Sequence, residues 1–314
     1  MTAPESAGWD SSYHAPVLVE ETRALLAGAT QVLDCTLGGG GHSEALLSQG
    51  AFVTAIDRDD AAIDEARQRL AAYEASGRFR VLRGNFAEIG RIPELADSRF
   101  DAILADLGVS SHQIDNAERG FSFRPGALLD MRMDRRSSVT AAEVLNTFEE
   151  TDLSHIFRAY GDEPRATRLA REIVRRRNNR ALQTSDDLVG AIRGTFGART
   201  GPGDFARLFQ AVRIAVNDEL GSLERALPDL RDRLVPGGLL AVISYHSGED
   251  RLVKHTMREW SQSCICPPRQ PRCTCRGIAL GDVKTRRALT AGPEETGVNP
   301  RSRSARLRAW RRAA

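Results

Sequence analysis

The chain has 314 residues, 41% hydrophobic and 27% charged, the usage of an ordinary globular protein of one large or two modest domains. That excludes a collagen, a disordered tail and a small disulfide scaffold; no apolar run approaches the roughly 20 residues needed to cross a bilayer, and residues 1–12 lack the charged and apolar parts of a signal peptide, so the expectation is a cytoplasmic protein. Net charge is only +2, but the positive charge is nearly all arginine: Lys254 and Lys284 are the only lysines, Arg165, Arg168, Arg171, Arg175, Arg176, Arg177 and Arg180 crowd one segment, and residues 301–312 form an acid-free tail.

Four strand-like runs, 31–36, 51–57, 78–82 and 100–106, each end where a polar or glycine-rich turn begins, with helical runs between them. This is the rhythm of a parallel sheet. Between the second and third, Ile63, Ala66, Leu70 and Tyr73 recur at helical spacing behind Asp59 and Asp60, which suit an N-cap and first turn. The next buried strand, 239–244 after the turn Pro236-Gly237-Gly238, comes about 130 residues after Asp106, where a simple crossover needs a dozen or more. The interval reads as helices: Thr140 and Glu143 form a capping box, Gly161 closes the helix of Leu153, Ile156 and Phe157, and Pro164 opens the arginine-rich helix. The predicted fold is therefore α/β, a mostly parallel sheet from residues 1–113 and 205–314 interrupted by a helical insertion at 114–204. A long helix from Phe205, with Leu208, Ala211, Val212, Ala215 and Val216 on one face, returns the chain to the sheet. Residues 290–304 read as loop and 305–310 as a last, edge strand.

The first strand runs into Leu37-Gly38-Gly39-Gly40-Gly41-His42, followed by a helix. Glycines let a backbone approach a ligand closely, and a helix start offers unpaired N–H groups. A dinucleotide fingerprint would place its third glycine at Ser43, which disfavours a nicotinamide oxidoreductase; Asp34, four positions before the first glycine, suits S-adenosylmethionine instead. Asp57, ending the second strand, is placed to accept from both ribose hydroxyls, with a helix N-cap as the competing reading. At the third strand's end, Gly84-Asn85-Phe86 puts an aromatic where an adenine would lie, and a core role for Phe86 is equally open.

The fourth strand delivers Asp106 to the carboxyl edge of the sheet, and Asp-Leu-Gly-Val-Ser-Ser-His-Gln follows. Methylation of a pyrimidine C5 needs a cysteine nucleophile, and none lies here. Transfer to an exocyclic amine needs only acceptors that free the lone pair and take the proton, and Asp106 is the candidate. No metal is required.

At this point the motifs carry a resemblance. His14-x-Pro-Val-Leu, Asp34-x-Thr-x-Gly-x-Gly-Gly-His42, Ala55-Ile-Asp-Arg-Asp59, Asp106-Leu-Gly-Val-Ser-Ser-x-Gln113, Glu118-Arg-Gly-Phe-Ser-Phe123, Leu129-Asp-Met-Arg-Met-Asp134, Val216-Asn-Asp-Glu-Leu220, Ser244-Tyr-His-Ser-x-Glu-Asp-Arg251 and Asn299-Pro-Arg-Ser-Arg-Ser304 resemble the MraW (RsmH) family, which methylates N4 of one cytosine in the decoding region of 16S ribosomal RNA. The resemblance implies a class I methyltransferase fold, S-adenosyl-L-methionine held by Gly40, Gly41, His42, Asp57, Phe86, Asp106 and Gln113, and an insertion that helps to hold RNA in the small ribosomal subunit; neither a membrane nor DNA is an expected partner. Departures fall on the expected substrate side: Gly203-Asp-Phe-Ala replaces the family's His-Pro-Ala before Arg207, Pro125-Gly-Ala-Leu replaces Asp-Gly-Pro, and Gly248 stands where Leu is common.

Four further groups are weighed against plainer roles. Tyr245, His246 and Ser247 follow the fifth strand at the edge that carries Asp106, and shape the cytosine pocket unless His246 is a structural histidine. Phe121 and Phe123, with Arg119, Arg124 and Arg132, suit a splayed base and its phosphates, or else pin a loop to the core. Arg168, Arg171 and Arg175 recur on one helix side with little acid nearby and suit phosphate. Cys264, Cys266, Cys273 and Cys275 are reduced free thiols in the leading reading and a structural zinc site in the alternative. A non-catalytic RNA-binding scaffold is the rival function.

Overall fold

The computed structural model describes residues 16–314; His14 lies outside the described residues. The chain divides into two compact units, Met1–Gly108 with Gly221–Ala314, and Val109–Leu220. The predicted insertion began at 114 and ended at 204, so the helix Pro202–Asn217 belongs to the helical unit rather than leading into the sheet. Its apolar face explains why: Leu208, Phe209, Ala211 and Val212 pack with the other insertion helices in one core, and an apolar stripe alone does not say which core it will join.

In the first unit β1 (Gln31–Asp34), β2 (Phe52–Asp57), β3 (Phe79–Arg83), β4 (Phe100–Asp106), β5 (Leu234–Ser244), β6 (Gly281–Val283) and β7 (Arg306–Arg312) form one sheet in the order β3-β2-β1-β4-β5-β7-β6. β1 to β5 pair in parallel and β7 pairs antiparallel to both β5 and β6. Successive side chains on a strand point to opposite faces. Val32, Ala102, Leu104, Ala241 and Ile243 accordingly enter one core, while Leu33, Ile103, Ala105, Leu240 and Val242 enter the other. Burial on both sides is what makes these strands read as continuous apolar runs. The order reverses between β1 and β4, so their carboxyl ends flank the crevice where ligands of such sheets bind.

Two strands differ from expectation. Pro236-Gly237-Gly238 is not a turn before β5 but a bulge within it: Phe100 pairs with Leu234, yet Ala102 pairs with Leu239, and Gly237 takes up the slack at φ +80°. β7 is an interior strand, because the three-residue β6, too short to show a period, covers it. Gly281 is required there, since a Cβ would strike the Trp310 ring and the Arg311 carbonyl. Trp310 is fully buried, meets Trp260 edge-on at 5.1 Å and donates from Nε1 to Ser261 Oγ at 3.1 Å. The stretch predicted as loop holds a short helix, Pro293–Val298, and a 3-10 turn, Pro300–Ser304.

The helical unit packs the helices Ala141–Thr147, Glu150–Ala159, Ala166–Arg177, Ser185–Phe196 and Pro202–Asn217 around a common core. Thr140 caps the first by accepting from Glu143 N at 3.1 Å. Gly161 serves by being small, not by a left-handed turn: a Cβ would lie 2.8 Å from Phe157 O, and Asp162 is the residue with φ +47°. Asn217 holds the strained Met131 segment, φ +59°, by donating to Met131 O and accepting from Met133 N at 2.7 and 2.8 Å. No helix among the described residues is long and apolar enough to cross a membrane.

Candidate active site

The glycine loop is braced from beneath by two aspartates. Asp34, fully buried, accepts from Thr36 N at 3.1 Å and from Ser43 Oγ at 2.7 Å, so the serine that spoils a dinucleotide fingerprint ties the helix start back to β1. Gly38 and Gly40 take φ +51° and +78°, the left-handed region. A Cβ on Gly41 would lie 2.6 Å from Pro16 Cγ, and one on Gly40 would crowd Leu70 and Ala66. Asp57, half-buried, accepts from Gly38 N and Asp59 N, both at 2.9 Å, one bond to each oxygen. It thus fixes the loop across from β2, while Asp59 is the residue that caps the next helix, accepting from Ala61 N.

Asp106 stands at the end of β4 with its backbone N–H donating to Thr36 Oγ1 at 2.6 Å. Its Oδ1 accepts from the Tyr245 hydroxyl at 2.9 Å, and its Oδ2 lies 3.5 Å from His42 Nε2. Gly108, at φ +108°, lets the chain pass the Tyr245 ring, where a Cβ would lie 3.3 Å from Cδ2. Burial pushes the Tyr245 hydroxyl pKa well above its usual value, and the Asp106 charge adds to it, so this hydroxyl is a donor at any physiological pH. Burial pulls the His42 imidazole down, but Asp106, then Asp34 and Glu295, outweigh it and raise the pKa. Neither His42 ring nitrogen makes a well-aligned hydrogen bond among the described residues.

Glu295 is the residue that the sequence did not point to. It lies in the stretch expected to be loop, and its Oε1 accepts from Leu18 N at 2.8 Å, across 277 positions of chain. Leu18 is held there at φ +56°. Burial raises the Glu295 pKa. No local pattern marks such a residue; only the fold brings it to the loop.

The remaining candidates fall into three groups. Phe86 opens a 3-10 turn after β3 and packs half-buried on the sheet core, while Asn85 caps that turn. His246 caps the helix Ser247–Trp260: its Nδ1 is 3.4 Å from Glu249 N and its Nε2 3.2 Å from Glu249 Oε1, and Glu249 in turn accepts from Tyr245 N at 2.9 Å. The ring therefore has a structural partner. Cys35 is buried with a thiol pKa pushed well up by burial, which leaves no nucleophilic sulfur in this cluster.

In the helical unit, Gln113 closes a reciprocal cap with Ser110, accepting from Ser110 N at 3.0 Å and donating its own N–H to Ser110 Oγ at 3.2 Å. Phe123 packs against Phe205 and Phe209 at ring distances of 5.9 and 6.1 Å, and Phe121 against the same core beside the Arg119 guanidinium. The arginine-rich helix is better balanced by acid than its sequence suggests: Arg175 and Arg176 both bind Glu172, Arg171 lies 3.6 Å from Glu150, and Arg180 binds Asp187 at 2.6 Å. Those two arginines hold the Glu172 carboxyl down at about 2, Arg175 foremost. The Arg168 guanidinium has no partner among the described residues. Arg207, beside one of the departures from the family pattern, binds Glu163 at 2.7 Å and the Gly161 carbonyl, and so supports the fold.

Compared with known families, residues 11–313 match the MraW methylase family. The chain belongs to that family. A protein of Gemmatimonas aurantiaca named ribosomal RNA small subunit methyltransferase H is 61% identical over 315 residues, covering 100% of both chains. Proteins of the same name from Geobacter sulfurreducens and Symbiobacterium thermophilum are 46% and 44% identical, over 94% and 95% of this chain and 97% and 96% of theirs. Among solved structures, the N-methyltransferase NodS of Bradyrhizobium japonicum with S-adenosyl-l-homocysteine aligns at TM-score 0.42 and 9% identity over 94% of this chain and 84% of that one. The methylase has a class I methyltransferase fold and S-adenosyl-L-methionine as its cofactor. The loop fits that group: both His42 ring nitrogens are buried without a hydrogen bond among the described residues, and the half-buried Asp57 keeps lone pairs beyond its two backbone bonds.

Proposed function

We propose that this chain methylates the exocyclic N4 amine of a specific cytosine in the decoding region of 16S ribosomal RNA, in the small ribosomal subunit. The RNA class rests on full-length kinship to proteins named for the ribosomal small subunit. The chemistry rests on one observation: the strand-end group at the sheet's switch point is a carboxylate, Asp106, whose partners are a hydroxyl and an imidazole and include no thiol. Attack through a pyrimidine carbon needs a thiolate. An amine needs an acceptor that localises its lone pair, and a carboxylate supplies that and afterwards holds the proton.

In this reading Gly40, Gly41, His42, Asp57, Phe86, Asp106 and Gln113 hold the cofactor, which brings a methyl group on a positively charged sulfur. Asp57 receives the ribose hydroxyls and Phe86 offers its ring to the adenine. Asp106 orients the amine; the Tyr245 hydroxyl, which stays protonated, keeps that carboxylate from rotating. His246 acts on the pocket only by shaping it, since its ring caps a helix. The helical unit, Val109–Leu220, holds RNA, with the exposed Arg168 its phosphate contact, and Arg171 and Arg175 available by exchanging their carboxylate partners; Phe121 and Phe123 keep the insertion loop in place. The target base has to leave its stack and its pairing for N4 to be reached.

The test is transfer of labelled methyl to unmodified small subunits by the wild type and by Asp106→Ala, followed by nucleoside analysis. Label in N4-methylcytidine that vanishes in the variant is the expected result. Label in a carbon-methylated pyrimidine, or an Asp106→Ala enzyme of normal rate, refutes the reading, and cofactor binding without transfer leaves the scaffold rival.

A further inference from the structure

Residues 261–280, between the helix Ser247–Trp260 and β6, form a segment with no helix or strand. Its apolar residues do little to order it, since Ile265 and Ile278 are 40% and 65% exposed. Segments of that length without secondary structure are uncommon in compact domains. What this one does is bring four sulfurs to a point. The Cys264 Sγ lies 3.8 Å from that of Cys273 and 3.9 Å from that of Cys275, and Cys273 Sγ lies 3.9 Å from Cys266 and 3.5 Å from Cys275. All four sulfurs are within 4.8 Å of one another.

Those separations choose among the fates of a cysteine cluster. A disulfide needs about 2.0 Å between sulfurs, and all four are free. In a four-iron cluster each thiolate binds a different metal atom, which spreads the sulfurs apart. Four thiolates around one tetrahedral zinc, each about 2.3 Å from it, stand about 3.8 Å from each other, and four of the six pairs here lie at 3.5–3.9 Å.

The backbone agrees with this choice. Ile265 N, between the first two cysteines, donates to Cys275 Sγ at 3.3 Å, and Thr274 N, between the last two, donates to Cys266 Sγ at 3.4 Å. Each Cys-x-Cys arm thus solvates a sulfur of the other, the support that thiolate ligands need. Arg269, Arg272 and Arg276 lie in the same segment and offset the negative charge of a four-thiolate site. Arg276 also ties the segment to the end of the preceding helix through Glu259 O and Gln262 O.

We propose that Cys264, Cys266, Cys273 and Cys275 bind one zinc ion as a closed structural site that orders the segment before β6. Each thiol releases its proton to solvent as its Zn–S bond forms, and no electrons move. With all four positions filled by protein the ion has no open coordination site, so it is structural and takes no part in methyl transfer. The site is independent of the substrate reading above.

The test uses the full-length protein, purified with reductant and without added metal or a metal-binding tag. Elemental analysis is expected to find one zinc per chain, released when a mercurial blocks the thiols. Cobalt put in its place should give the visible bands and thiolate charge transfer of a tetrahedral sulfur site. Cys273→Ser with Cys275→Ser should lose the metal, and Cys35→Ser should keep it. Trypsin should cut at Arg269 and Arg272 after chelation and spare them before. If the double variant does not fold, the cobalt spectrum of the unaltered chain still decides. Absence of metal with no cobalt spectrum, retention of zinc by a folded double variant, or iron in place of zinc each overturns the assignment.

Discussion

At the ends of β1, β2 and β4 the carboxylates are buried or half-buried, and each is answered by a fixed partner: Asp34 by Ser43, Asp57 by two backbone amides, Asp106 by Tyr245. On the arginine-rich helix of the other unit the charges are exposed, and their partners are carboxylates on long side chains that can let go. Position in the fold, not residue type, separates the two. Arginine itself shows it, because Arg308 of β7 is buried and gripped by both Asp250 oxygens at 2.6 and 3.1 Å, although the tail that carries it looked acid-free. A buried pair is costly to break from one side, whereas exposed pairs contribute ~0–1 kcal/mol each.

The largest effect that follows is on catalysis. Asp106→Ala removes the acceptor and should lower kcat by about 10²–10⁴-fold, with the fold intact by circular dichroism; a loss under tenfold would remove Asp106 from the chemistry. Second comes Asp250→Ala, which strands the Arg308 guanidinium and should cost about 3 kcal/mol of stability in urea. Were it nearly neutral, buried and exposed arginines would not differ as argued. Third, Tyr245→Phe deletes one hydrogen bond to Asp106, worth about 1.5 kcal/mol, so kcat should fall about tenfold while the KM for cofactor stays close to that of the wild type.

The same division sets what the sequence could reveal. β1 to β4 end within two residues of their predicted ends, because alternate residues such as Val32 and Leu33 fill two different cores and give apolar runs that stop at polar residues such as Asp34, Asp57 and Asp106. Asp59 as a cap and the carboxylates of the site are local signals and were legible. What depends on distant chain was not. Gly-Asp-Val of β6 is too short for a period, so β7 read as an edge. Glu295 reaches Leu18 across the whole chain, and the acid that balances the arginine helix comes partly from Glu150 of another helix. The position of Tyr245 was legible but its bond to Asp106 was not, since it joins two strands.

A smaller effect lies in the pH dependence of stability. The folded pKa of His42 is raised above the ordinary 6.5 by Asp106, Asp34 and Glu295 despite its burial. Protonated His42 therefore favours the folded state below about 6.5, and that contribution is lost as pH rises through the higher folded value. His42→Gln should flatten the urea midpoint against pH between 6.5 and the higher folded value. An unchanged profile would mean that the imidazole is not charged by its acidic neighbours.

The smallest effect tests the exposed half of the comparison. Arg168, exposed and without a partner among the described residues, should contribute to RNA binding only through phosphate charge, so Arg168→Ala should weaken binding of the small subunit uniformly and reduce the slope of log affinity against log salt by about 1. Arg171→Ala should do less, because Arg171 must first leave Glu150 and the freed carboxylate then repels phosphate. Glu150→Gln separates the two accounts: if the arginine face meets RNA, releasing Arg171 should strengthen binding slightly at low salt, and if that face is only a solvated surface the substitution leaves affinity and salt slope where they were.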